Sequence, residues 1–193
     1  QVAESLMQAT EASVFDRHLS LMPLTTLLEN IAGLYVPLLA GARSILRPSH
    51  EVGLSGATGL NPQVMLQAIL TSQASTLVLT PELLKALVLM VEAGAPVPTR
   101  LRFIAVGGAT VSISLLERAA AVGLPVFEGY GLSESCSVVA VNTPKVHRAG
   151  TVGKLLPHVQ VKLADDGEIL VAGATMLGYT GMATDDYGNQ FWP

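Results

Sequence analysis

Two short stretches hold residue types that can bind a phosphorylated ligand. The first is Val106-Gly107-Gly108-Ala109, which follows a strand-like run and precedes a helix-like one. In an open parallel sheet, ligands settle outside the carboxyl ends of strands, and a glycine turn lets a flat ligand approach the backbone. The spacing after Gly108 excludes the dinucleotide fingerprint G-x-G-x-x-G. Taken alone, the dipeptide reads first as an ordinary tight turn. The second stretch is Glu128-Gly129-Tyr130-Gly131-Leu132-Ser133-Glu134-Ser135. Glycines on both sides of Tyr130 leave one ring face free to stack on a flat base. The Ser133 hydroxyl and nearby backbone N–H groups can bind phosphate oxygen. Glu134 cannot bind phosphate directly, since both are negative, so a divalent cation between them is the chemistry that fits. The same residues also read as a glycine-rich turn with a packed tyrosine and a Ser/Glu helix cap. On the residues alone both readings stand. Ser135 replaces the last glycine of the G-x-S-x-G nucleophile elbow and excludes that motif.

The elements that must carry these stretches alternate along the chain. Residues 18–22, 44–46, 75–79, 102–106, 125–127 and 138–141 read as strands. Between them, residues 25–39 carry Leu27, Leu28, Ile31, Leu34 and Leu38 at roughly helical spacing, with Gly41 as a stop signal. Asn61-Pro62 and Thr80-Pro81 are cap-then-proline signals opening helices over 63–70 and 83–91. Ser112 or Ser114 caps a further helix through Ala121, and residues 49–60, with three Gly and two Ser, read as loop. Apolar runs joined by helices, without clean polar alternation, predict an α/β fold: a mostly parallel sheet with helices on both faces. Past Gly150 the character changes. Residues 159–163 alternate, Asp165-Asp166-Gly167 is a turn signal, and 168–171 follow as a second strand. A small β-rich segment is expected there, with the boundary in loop near 143–150.

Composition excludes several classes. Of 193 residues 50% are hydrophobic, which is enough burial to rule out disorder. Eleven Lys+Arg against fifteen Asp+Glu, with no basic run, give no nucleic-acid surface. Cys136 is the single cysteine, so a disulfide scaffold is impossible and a reducing, cytoplasmic setting is expected. Charged residues make up 13%, low against the ~25% of an average globular protein. That predicts a sheet covered on both faces, or a fragment whose missing parts cover apolar surface. The apolar stretches 31–40 and 77–91 are too short or too interrupted by Pro37, Pro81, Glu82 and Lys85 to span a membrane. The N-terminus has no signal-peptide pattern, and both ends are expected to be cut from a longer protein. His18, His50, His147 and His158 have no metal-ligand spacing and read as solvated or satisfied. Asp165-Asp166 and Asp185-Asp186 read as loop acids, Cys136 as a small buried filler, and Leu83, Leu84, Leu87 and Val91 as core.

Residues 128–135 resemble the Gly-Tyr-Gly-(Leu/Met)-(Thr/Ser)-Glu motif of the adenylate-forming enzymes: acyl-CoA synthetases, luciferases and peptide-synthetase adenylation domains. Four further matches follow in family order. Gly107-Gly108-Ala109 is similar to the adenine-side loop, and Gly150-Thr151-Val152-Gly153 to the Gly-(Ser/Thr)-(Val/Ile)-Gly segment. Gly167-Glu168-Ile169 with Gly178-Tyr179 resembles the Gly-Glu-(Ile/Leu) strand and its Gly-Tyr. Leu21-Met22-Pro23-Leu24 resembles the segment opening the acyl-pocket helix. The resemblance spans residues 15–193. It implies that 1–148 form part of an α/β adenylate-binding subdomain and 149–193 part of a β-rich one.

The resemblance also implies roles. Tyr130 stacks on adenine, while Gly107, Gly108, Ala109, Glu128, Gly129 and Gly131 line the nucleotide site. Ser133 bonds the phosphate, and Glu134 holds Mg²⁺ as metal ligand. Thr26 and Gly131 face the substrate pocket. The substrates implied are ATP, coenzyme A and a fatty or other apolar carboxylic acid, joined through an acyl-adenylate. Thr26 stands where the family places an aromatic residue or His. The phosphate loop expected before residue 1 and the Thr-Gly-Asp expected after Pro193 are outside the chain, so the piece alone is expected to be inactive. Amino-acid adenylation is a rival, disfavoured because residues 27–31 offer Glu29 and no Asp. A non-catalytic interaction module is the rival from another class.

Overall fold

A computed structural model describes residues 1–56 and 59–180. The chain opens with helix α1 (Val2–Ala9), then strand β1 (Arg17–Leu19). A helical stretch follows in three parts: α2 (Leu27–Glu29), a π-helical turn (Asn30–Tyr35) and α3 (Val36–Ala40). Strand β2 (Arg43–Ile45) leads to a 3₁₀ turn (Ser49–Val52) and the short strands β3 (Leu54–Ser55) and β4 (Gly59–Leu60). Then come α4 (Pro62–Ser72), β5 (Thr76–Leu79), α5 (Pro81–Glu92), β6 (Phe103–Val106), α6 (Ile113–Ala121) and β7 (Val126–Tyr130). A 3₁₀ turn (Ser133–Ser135) precedes β8 (Ala140–Val141), β9 (Lys154–Leu155), β10 (Val159–Leu163) and β11 (Ile169–Gly173).

Among the described residues seven strands make the main sheet, in the order β2-β1-β5-β6-β7-β8-β9. The pairings from β2 to β7 are parallel, while β7–β8 and β8–β9 are antiparallel. The mostly parallel sheet expected from the sequence is therefore what the chain forms. β9 belongs to this sheet although it lies past Gly150. β10 and β11 pair antiparallel as a separate ribbon, with Leu163 opposite Ile169 across the Asp165-Asp166-Gly167 turn.

Helices cover both faces, and alternation along each strand sorts the side chains between them. One face carries Leu19, Leu77, Leu79, Ile104, Val106 and Val126 into a single buried cluster with α4, α5 and α6. The other face carries Phe103 and Phe127, stacked 4.8 Å apart, toward α1 and the helical stretch before α3. Leu83, Leu84, Leu87 and Val91 of α5 are buried, as their spacing predicts. Side chains cap the helices: Asn61 accepts from the Val64 N–H, Thr80 from Leu83 and Ser112 from Leu115. Each such cap contributes about 1 kcal/mol.

Two local expectations are corrected, and one helix was not anticipated. Residues 49–60 are not all loop, since a 3₁₀ turn and the β3–β4 hairpin lie there; Gly53 and Gly59 pack against backbone. The helix expected over 25–39 starts at Leu27 and widens into a π turn at Asn30. Helix α1 carries Leu6 into the second cluster, with Ala3 and Met7 packed against it, an amphipathic pattern too short to stand out in the sequence. Asp185-Asp186, Trp192 and Pro193 lie outside the described residues.

Candidate active site

Strands β6 and β7 end side by side, so their glycine-rich exits meet at one edge of the sheet. Gly107 packs so closely that an added Cβ would lie 3.3 Å from the Gly129 carbonyl oxygen. Gly108 turns the chain out with φ +84°, a conformation that costs a side-chain-bearing residue strain. Past β7, the strand pair Gly129–Val141 and Tyr130–Ala140 closes the 131–139 loop as a hairpin. The fold of that loop depends on Gly131, because a Cβ there would overlap the Ser137 carbonyl oxygen. Leu132 accepts N–H bonds from Ser135 and Ser137, and the Tyr130 carbonyl accepts from Val139. Cys136 and Ser137 both hold positive φ (52° and 97°), so the turn is strained at non-glycine positions. Such strain clusters at functional loops. Cys136 is half-buried rather than the buried filler expected.

Below this edge lies a cavity of about 340 Å³, between the sheet and the helical stretch α2–α3. Gly107, Gly108, Gly129, Tyr130, Gly131, Ser133 and Thr26 all line it. Seven of the ten site residues singled out from sequence thus share one opening. Tyr130 is half-buried; Gly108, Gly131, Ser133 and Thr26 are exposed at the mouth. The body of the cavity is apolar, walled by Leu28, Ala32, Val36, Phe103, Ala105 and Val138. A few polar groups on a mostly apolar wall are the usual composition of a small-molecule site.

The other three site residues stand beside the cavity rather than on its wall. Ala109 is exposed in the loop after Gly108. Glu128 is buried, and its Oε2 accepts the Gly150 N–H at 2.9 Å. Burial raises its pKa, partly offset by that hydrogen bond and by His147. Its carboxylate therefore ties the 147–151 loop to β7, where Asn142 also bonds the Thr151 carbonyl. Glu134 is half-exposed. Its Oε1 accepts from the Tyr179 hydroxyl at 2.8 Å, and its carbonyl accepts the Met176 N–H. Its own backbone N–H and then the Tyr179 phenol lower its pKa and favour the carboxylate. Sequence reasoning missed Tyr179 as the partner of Glu134; the Gly178-Tyr179 match was the available signal.

Among the described residues, no three His, Cys, Asp or Glu side chains converge to hold a metal ion. Glu134 offers a single ionised carboxylate beside the phosphate-competent Ser133. Mg²⁺ is commonly held by one or two carboxylates together with substrate phosphates, so this donor set fits it. His18, expected to be satisfied, is: Nε2 meets Glu29 Oε1 at 2.9 Å and Nδ1 meets Thr76 Oγ1 at 3.0 Å. His158 is sequestered: burial pushes its pKa down, partly offset by the Val138 backbone.

A parallel sheet with two glycine exits over a mostly apolar cavity is an α/β arrangement of the type in which ligands settle at the carboxyl ends of the strands. A family model of AMP-binding enzymes matches residues 1–180, and the chain belongs to that family. A 2-succinylbenzoate–CoA ligase of Staphylococcus epidermidis is 36% identical over 123 residues, covering 60% of this chain and 25% of that protein. A long-chain-fatty-acid–CoA ligase of Mycobacterium bovis is 42% identical over 74 residues, covering 38% of this chain and 12% of that protein. Among solved structures, O-succinylbenzoate coenzyme A synthetase from Bacillus subtilis bound to a product analogue has a TM-score of 0.80 at 24% identity. That match covers 99% of this chain and 40% of that one. The same enzyme has been solved with ATP and magnesium ion, with a TM-score of 0.76. The chain spans well under half the length of the relatives it matches. Among the described residues no helix is long and apolar enough to cross a membrane.

Proposed function

We propose that this chain is the ligand-holding part of an AMP-forming carboxylate–CoA ligase. Its substrates are ATP, coenzyme A and a fatty or other apolar carboxylic acid, in a cytoplasmic setting. One observation carries the reading. Gly107, Gly108, Tyr130 and Ser133 border the mouth of the same cavity whose body is apolar. A purine-phosphate and an acyl chain can therefore meet at one point, with the carboxylate between them.

In this reading Tyr130 stacks on adenine, and the Gly107–Gly108 and Gly129 backbones admit it closely. Ser133 donates a hydrogen bond to a phosphate oxygen. Glu134 would hold Mg²⁺, whose positive charge offsets the negative charge gathering on the phosphates. Thr26 and Gly131 border the path of the acid. Its carboxylate oxygen attacks the α-phosphorus; that P–O bond forms as the bond to pyrophosphate breaks. The thiol of coenzyme A then attacks the acyl carbon, and AMP leaves. Holding the reactants in line supplies much of the acceleration in such a transfer. Amino-acid adenylation is less favoured, because Glu29, the acid nearest the expected ammonium-binding position, is buried against His18.

Titration with a non-hydrolysable acyl-adenylate mimic, with and without Mg²⁺, tests the reading. The expected result is saturable binding that weakens at least tenfold in Tyr130→Ala, about 1.4 kcal/mol. In the intact protein, Glu134→Gln is expected to slow adenylation and raise the Mg²⁺ requirement. No binding at millimolar mimic, or Tyr130→Ala binding as tightly as wild type, would leave the non-catalytic module as the better description.

A further inference from the structure

The helical stretch over the cavity is fastened to the sheet within the cavity wall, where His18 and Thr76 line it. His18 and Glu29 form a pair with side chains 3% and 0% exposed. The other ring nitrogen of His18 reaches Thr76 on the neighbouring strand, in register with it. Directly after Glu29 the helix widens into the π turn Asn30–Tyr35. π turns inside helices are rare and mark functional sites. Gly33, in that turn, lies against the pair. A Cβ there would overlap Glu29 Oε1 and stand 2.8 Å from His18 Nε2. The Gly33 carbonyl accepts the Ser44 hydroxyl of β2 at 2.7 Å. Two strands therefore grip one turn of helix, β1 through the Glu29 carboxylate and β2 through a main-chain carbonyl.

The same helical stretch supplies Thr26, Leu27, Leu28, Ala32, Val36 and Pro37 to the cavity wall. Its distance from the sheet sets how wide the cavity is. Burying two polar side chains against each other contributes little net stability, because desolvation cancels most of their attraction. What it does supply is a fixed geometry at the midpoint of the roof. We infer that Glu29, Gly33 and Ser44 are positioning residues, held against His18 and β2, that set the bore of the acid-binding cavity and hence which acids are accepted. This inference rests on the proposed function and deepens it, since it assigns specificity to residues outside the cavity's mouth.

The test uses the intact protein and a series of straight-chain and aromatic carboxylic acids, with KM and kcat for each acid and KM for ATP. Glu29→Ala is expected to change the ratio of kcat/KM between the best and poorest acids at least tenfold, with the ATP KM within twofold of wild type. Glu29→Gln keeps an oxygen that accepts from His18 and is expected to restore the wild-type ranking. Gly33→Ala, which dislodges Glu29 from the opposite side, is expected to reproduce the Glu29→Ala profile. Folding of each variant is checked by thermal melting. If Glu29→Ala and Gly33→Ala do not fold, Ser44→Ala, which removes only one hydroxyl, is expected to shift the ratio about threefold. An unchanged acid ranking in the folded variants overturns the inference while leaving the functional reading intact. A wild type that activates none of the acids overturns the reading, and the inference with it.

Discussion

The two faces of the central sheet are built from alternate residues of the same strands, yet they do opposite things. On one face Leu77, Leu79, Ile104 and Val106 meet Leu84, Leu87 and Val88, all 1% exposed or less. On the other face Thr76, Ala105 and Gly107, small or polar, stand beside the larger Phe103, and a cavity of about 340 Å³ remains. One face is filled to holding density, and the other is left short of side-chain volume where a ligand is to enter. The difference lies in residue size at alternate positions, not in strand geometry. Dense packing on one side lets the other stay open without collapse.

The sharpest way to break this comparison is to damage the filled face. Leu87→Ala removes a side chain with no exposure, and is expected to cost about 2–5 kcal/mol. Chemical denaturation measures it. A loss under 1 kcal/mol would mean that the filled face is not the side that holds the fold. The converse experiment fills the open face. Ala105→Leu adds volume to the cavity wall, where space exists, so its stability change is expected to stay below about 1.5 kcal/mol. Binding of the acyl-adenylate mimic is expected to fall at least tenfold. If Ala105→Leu instead destabilises as much as Leu87→Ala, while binding is retained, the cavity does not accept the acyl part.

The filled face was legible in the sequence and much of the open one was not. Asn61-Pro62, Thr80-Pro81 and Ser112 mark helix starts because capping is decided within three residues of chain. The Leu83–Val91 stripe marks a buried helix because its period is local. The glycine exits at 107–108 and 129–131 were legible for the same reason, since a turn needs its glycines wherever the partner strand lies. The π turn was not. It lies against a contact made by His18, eleven residues before Glu29 on another element. The engagement of Glu134 by Tyr179 spans 45 residues, and the tie between Glu128 and Gly150 spans 22. Side chains that act through distant partners leave no local pattern.

The open face carries one carboxylate at the floor of its cavity, and another, on β7, is buried on the side of Val126; the two titrate in opposite senses. At the floor, burial would raise the pKa of Asp16. The Arg102 guanidinium, which grips both its oxygens at 2.5 and 2.6 Å, outweighs burial together with the Ser13 N–H and the Ser75 hydroxyl, so the net shift is downward. The folded state then binds that proton more weakly than the unfolded chain. Its contribution is fully present above the ordinary carboxylate value of about 4 and is lost as pH falls through the lower folded value. On β7, burial raises the pKa of Glu128 in spite of the Gly150 hydrogen bond. The folded state binds this proton more tightly, so stability declines as pH rises from about 4 through the raised value. Asp16→Asn is therefore expected to flatten the acid side of the stability–pH curve, and Glu128→Gln to flatten its decline above pH about 4. Denaturation midpoints across pH 2–7 measure both. The same sign of change in the two variants would show that the two carboxylates do not differ as their partners dictate: a guanidinium at Asp16, a lone backbone N–H and a nearby imidazole at Glu128.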